Sequence, residues 1–154
     1  MSRRDAFVLV EVLIIVIVMA AMAAAILPQF TVADDARQSA LKFNLHMVRA
    51  QIEAYKAQHH GRLPEMGKFA EQLTRATTVE GATSGGNLTC GPYFLGRIPA
   101  NPFNNSHAVV AVAVPGRQPV GAVPGGAGWQ YDPRTGGFWP NHEEYFADSA
   151  RAGR

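Results

Sequence analysis

Cysteine is nearly absent from this sequence. Cys90 stands alone, so no intrachain disulfide can form and the fold rests on no such staple. A lone thiol reads as a small core or loop residue rather than as a nucleophile. Charge is scarce as well: Asp, Glu, Lys and Arg make up 17% of the 154 residues and the formal net charge is +2. With no long basic run interleaved with aromatics, no nucleic-acid partner is expected. Low charge combined with 47% apolar residues also excludes an intrinsically disordered chain. A phosphate-binding loop, a nucleophile elbow and zinc-ligand spacing are all missing. Adjacent histidines such as His59-His60 do not face one ion, and no further ligands stand at suitable spacing, so they read as a solvated helix end. Asp34-Asp35 reads as a solvated pair rather than a general acid–base couple, and the sequons at Asn87 and Asn104 carry no force without a eukaryotic secretory context. No catalytic residue and no metal ligand is assigned, and an enzyme is not expected.

What is present is an apolar stretch over residues 7–27 in which Glu11 is the only polar side chain. As a helix it would extend roughly 30 Å, enough to cross a bilayer core. Arg3 and Arg4 precede it, so the positive-inside tendency keeps the extreme N-terminus cytoplasmic and carries the bulk of the chain across. Three readings compete: a signal peptide cleaved near Ala23-Ala24-Ala25, a plain single-pass anchor, and a helix that packs against copies of itself. A carboxylate near the centre of an inserted helix costs about 2.5–3.5 kcal/mol, so Glu11 requires a partner or a task. In a signal peptide it would only weaken the apolar region, and in a plain anchor it would snorkel to the cytoplasmic side. Self-association supplies a partner in the amino group of a neighbouring chain.

Ala6-Phe7-Val8-Leu9-Val10-Glu11-Val12-Leu13-Ile14 resembles the class III leader junction of type IV pilins and type II secretion pseudopilins. In that family a peptidase cuts before a Phe and methylates the new terminus, a Glu stands fifth after the cut, and a Pro stands twenty-second. The resemblance places the cut between Ala6 and Phe7, the assembly glutamate at Glu11 and the proline at Pro28, followed by Gln29-Phe30. Ala6 departs from the family's usual Gly. The implied pairing sets the Phe7 amine of one subunit beside Glu11 of the next, and such a pair in an apolar bundle works as a register device more than as a source of stability. Small residues over 20–25 permit close helix approach, and Pro28 removes a backbone donor and loosens the helix beyond it.

Beyond Pro28 the pattern stays helical. Leu41, Leu45, Val48, Ile52 and Tyr55 recur at spacings of four and three, a buried stripe, and Gly61 with Leu63-Pro64 stops the helix near His60. Residues 68–74 form a short helix. Residues 108–114 are a β-branched run that reads as a strand, and a Gly/Pro loop follows it. Gly128-Trp129-Gln130-Tyr131 and Gly137-Phe138-Trp139 flank Asp132-Pro133-Arg134-Thr135-Gly136, a hairpin signal. The order, with Ser39-Ala40-Leu41 and Pro99-Ala100-Asn101-Pro102-Phe103, is similar to the major pseudopilin of type II secretion.

The expectation is therefore an α+β chain: a long N-terminal helix whose first half spans the membrane and whose second half packs on a small antiparallel sheet. Residues 1–6 would be the leader, 7–27 the transmembrane and assembly helix, 28–141 a periplasmic domain, and 142–154 a polar, frayed tail. The resemblance implies a filament subunit of a type II secretion pseudopilus or type IV pilus, located first in the inner membrane and then in the filament. Implied partners are copies of itself, the prepilin peptidase, an inner-membrane assembly platform and minor pseudopilins. It also raises calcium, which many major pseudopilins hold in an Asp-rich C-terminal loop. No such cluster occurs here, since Glu143, Glu144 and Asp148 lie past the last expected strand, and no cofactor is expected. The alternative is an anchored or secreted binding module that forms no filament, with the Gly/Pro loops and Trp139 carrying recognition. Replacing the first 27 residues with an unrelated anchor would spare such a module and disable a filament subunit.

Overall fold

A computed structural model describes the backbone of residues 3–152 and the side chains of residues 7–22 and 33–147. The chain is α+β. Helix α1 runs Arg3–Gln58, a 3-10 turn at Met66–Lys68 leads into α2 at Phe69–Thr74, and strands β1 (Val109–Ala111), β2 (Trp129–Tyr131) and β3 (Phe138–Pro140) precede α3 at Glu143–Ala152. Two compact units share this chain, Met1–Gln38 and Ser39–Arg154.

In the second unit, α1 contributes residues 39–58. Its stripe of Leu41, Leu45, Val48, Ile52 and Tyr55 is buried, because positions three and four apart share one helix face. Phe69 and Leu73 of α2, Phe94, Ile98, Trp129, Tyr131 and Phe138 complete the cluster. Ring pairs such as Phe69–Tyr131 at 4.3 Å and Trp129–Phe138 at 5.2 Å fill its centre. Each such side chain contributes roughly 1.5–3 kcal/mol by leaving water. The helix ends at Gln58: His60 and Gly61 adopt positive φ of 55° and 83°, and the Gly61 N–H turns back onto the Lys56 carbonyl at 2.8 Å.

Strands β2 and β3 pair antiparallel around the Asp132–Gly136 turn, where the Gly136 N–H donates to the Asp132 carbonyl at 2.8 Å with Gly136 at φ +76°. Strand β1 pairs with β2 in parallel, Val109 opposite Trp129 and Ala111 opposite Tyr131. The expected all-antiparallel sheet is thus corrected. A parallel pair requires a crossover of about a dozen residues or more, and the Gly/Pro segment 112–128 is long enough to return the chain to the starting end. Of the 108–114 run, strand β1 takes Val109–Ala111, and the flanking Ala108 carbonyl and Val112 N–H bond to Trp129 and Tyr131 of β2 at 3.1 and 3.0 Å. The tail is corrected too, since it contains α3 with Phe146 buried.

The membrane-spanning first half is overturned. Among the described residues no helix is long and apolar enough to cross a membrane. The apolar side chains described in the first unit occupy residues 7–22, a rise of roughly 24 Å against a hydrocarbon core of about 30 Å, and Glu11 interrupts them. The inner-membrane, single-pass placement with a periplasmic domain falls with it.

Candidate functional site

Residues 7–22 form helical backbone, and every one of their side chains is exposed. Fifteen of the sixteen residues there are large and apolar or alanine, so the helix is hydrophobic all round rather than on one stripe. Phe7 is 73% exposed, and none of the large apolar side chains from Val8 to Met22 falls below 51%. A continuous exposed apolar surface of this kind marks an interaction site, because covering each of these side chains is worth roughly 1.5–3 kcal/mol.

Glu11 is the one charge in that surface. It lies one turn after Phe7, hence on the same face. Among the described residues it makes no ion pair, in contrast to Asp34, which pairs with Arg37 at 3.1 Å. No Lys, Arg or His stands within residues 7–22, so a partner for the carboxylate has to come from outside that stretch. Of the residues expected to act in processing and assembly, Phe7 and Glu11 are therefore brought together. The side chains of Ala6 and Pro28 lie outside the described residues. The backbone of α1 is helical through Pro28.

The second unit places its polar groups in structural roles. His59 is fully buried rather than solvated, stacked on Tyr55 at 3.6 Å, and this corrects the reading of His59-His60 as an exposed pair. Its Nδ1 donates to the Tyr55 carbonyl at 2.7 Å, which leaves Nε2 to accept from the Thr77 hydroxyl at 3.0 Å. The signal was available: His59 continues the stripe four residues after Tyr55. The Tyr55 hydroxyl is pushed up to about 12, chiefly by burial and then by the charge of Glu65. Cys90 is buried beside Thr77, with its thiol 3.8 Å from the Gln58 carbonyl.

Asp132 anchors the hairpin turn. Its oxygens accept from the N–H groups of Gly116 at 2.7 Å and Arg134 at 2.9 Å and from the Thr135 hydroxyl at 2.8 Å. Burial pushes this carboxyl up, but the donors outweigh burial and hold it below its ordinary value of 3.8. A carboxyl lowered on folding stabilises the fold fully above the unfolded value, and that contribution is lost as pH falls through the folded value. Urea titrations of the full chain should accordingly show stability declining below pH 3.8. Asp132→Asn sets an amide donor against N–H and O–H donors. It should cost about 1–3 kcal/mol near neutral pH and flatten that decline. An unchanged midpoint in the variant would remove Asp132 from this role.

Among the described residues no group of three or more His, Cys, Asp or Glu side chains could hold a metal ion. Asp132 is occupied as described, and Glu143 accepts the Ala122 N–H at 3.3 Å. The 7–22 surface offers apolar association around a single carboxylate. No family model, curated protein or solved structure matches this chain.

Proposed function

We propose that this chain is a structural subunit of a pseudopilus or pilus-like filament, built by packing its 7–22 helix against the same helix of other copies. The observation that carries the reading is the uninterrupted exposure of sixteen successive side chains, apolar except for Glu11. A second copy is the occupant whose chemistry fits. It brings an equally apolar helix, and after a cut between Ala6 and Phe7 it also brings a free amine at the end of that helix. Phe7 and Glu11 share a face one turn apart, so a staggered neighbour would set its amine against this carboxylate without disturbing the apolar contacts. In such an environment an amine–carboxylate pair is weakly screened, and a shift of register would strand both charges. The pair fixes the stagger, while the apolar surface drives the association. A role in protein secretion follows from the resemblance of the leader junction, and a structural rather than a catalytic role is consistent with the polar groups described above.

The test is the N-terminus of the protein recovered from cells that express the full chain. Sequencing and mass measurement should give Phe7 as the first residue, carrying one added methyl group, and Ala6→Gly should increase the processed fraction. Recovery of intact residues 1–6, or of a chain beginning after Ala25, would defeat the proposal.

A further inference from the structure

Helix α1 begins at Arg3, upstream of the bond that the proposed cut would break. Residues 3–10 are helical without interruption, so the Ala6–Phe7 peptide lies inside the helix rather than in a loop before it. An α-helix ties each N–H to the carbonyl four residues earlier. The Phe7 N–H is therefore directed at the Arg3 carbonyl, and the Ala6 carbonyl at the Val10 N–H, so both polar groups of this peptide are engaged. The junction stands roughly one turn from the helix start. Helix ends fray at little cost, whereas the residues that follow have helix on both sides of them through to Gln58.

A peptide bond held in this way is closed to hydrolysis. A peptidase must take the flanking backbone into its own hydrogen bonds, and an intact turn keeps those groups for itself. Where a segment opens and closes faster than it is cut, the rate of cutting follows the population of the open form. That population is set by the residues that must leave the helix. Asp5, Phe7, Val8 and Val10 are weak helix formers, because aromatic and β-branched side chains lose rotamer freedom against the preceding turn and Asp competes for the backbone. Ala6 stands among them as the strongest helix former of all, in the place of a Gly, which is among the poorest. We propose that the opening turns of α1 are a gate on processing: the Ala6–Phe7 bond is cut only after they unwind, and Ala6 slows the cut by keeping them wound. In the cut, the oxygen of water joins the Ala6 carbonyl carbon, the C–N bond breaks, and the proton goes to the Phe7 nitrogen. Ala6 leaves as the carboxyl end of the leader. The amine that can pair with Glu11 of another copy exists only after this step, so the gate sets when a subunit becomes able to assemble. This inference rests on the reading of the chain as a processed filament subunit.

The experiment combines pulse–chase of the full chain in cells that process it with amide hydrogen exchange on the uncleaved full chain. Asp5→Gly is compared with Asp5→Ala. Both remove the carboxylate, and both are lost with the leader, so the mature chains are identical and only helix propensity differs. Asp5→Gly should be cut about fivefold faster than Asp5→Ala, the ratio that the Gly and Ala propensities support. The Phe7 amide should exchange faster by the same factor, and adding Ala6→Gly should speed the cut about fivefold again. In the uncleaved parent the Phe7 amide should be protected relative to an unstructured peptide. An unprotected Phe7 amide, or equal rates of cutting for Asp5→Gly and Asp5→Ala, would overturn the gate, while a mature chain beginning at Phe7 would leave the filament reading standing. A chain cut at this bond in none of the variants would defeat both.

Discussion

Gly128→Ala is expected to abolish cooperative folding of the unit formed by residues 39–154. A Cβ at this position would overlap the Ser106 carbonyl, lying 2.9 Å from its carbon and 3.1 Å from Asn101 Cβ. The overlap is with backbone, so no side chain can swing away. Nor can Gly128 retreat. Its N–H donates to the Ala108 carbonyl at 2.9 Å, and its own carbonyl accepts from Asn101 Nδ2 at 2.8 Å and from the Asn141 N–H at 2.9 Å. Relief of the clash would break bonds that tie the start of β2 to β1 and to the chain after β3. Overpacking of this kind costs 1–3 kcal/mol where neighbours can yield, and the pinned backbone here should raise the loss above about 4 kcal/mol. Gly67→Ala is the matched control, since a Cβ there meets nothing within 4 Å. Urea or thermal unfolding should leave that control within about 0.5 kcal/mol of the parent. A Gly128→Ala protein with the parent's midpoint would show that the strand crossing is not as close as described.

Glu11→Ala is expected to reduce filament formation by roughly a hundredfold or more while leaving the 39–154 unit folded. Taking one partner from a pair inside an apolar contact leaves the other charge uncompensated, at about 3–5 kcal/mol. Glu11 is exposed in the single chain and makes no ion pair among the described residues, so the variant should unfold at the same denaturant concentration. Loss of assembly with unchanged stability is the combination to look for by electron microscopy and sedimentation. Glu11→Gln separates charge from size: if the carboxylate acts through its charge, the amide should fail nearly as badly. Normal filaments from Glu11→Ala would remove the electrostatic register, and an apolar seam alone would then have to set the stagger.

The contrast between these two positions explains which features were readable in advance. Glu11 stands out because a charge inside an apolar run is a local anomaly, visible without knowing what surrounds it. Gly128 does not, because its constraint is the Ser106 carbonyl, which is brought against it only when crossover 112–128 has returned the chain beside β1. Gln130 is of the same kind. Its alternation with Trp129 and Tyr131 marks it as facing the other side of the strand, but nothing local announces that a loop closes over it and leaves one oxygen unpaired. His59 falls between the two cases. It keeps the period of the buried stripe, yet its placement inside depends on Thr77, which lies well along the chain.

The sequence by itself determined the features whose cause is local. Leu41, Leu45, Val48, Ile52 and Tyr55 had to share a face, since any helix places residues three and four apart side by side. The Asp132–Gly136 turn and its antiparallel strands were likewise set by turn chemistry within a few residues. Tertiary structure alone decided the parallel pairing of β1 with β2, the burial of Phe146 on α3 and the empty acceptor at Gln130, because each depends on contacts between distant segments. It also corrected the membrane span. Among the described residues no helix is long and apolar enough to cross a membrane, although the side chains of 7–22 are exposed throughout.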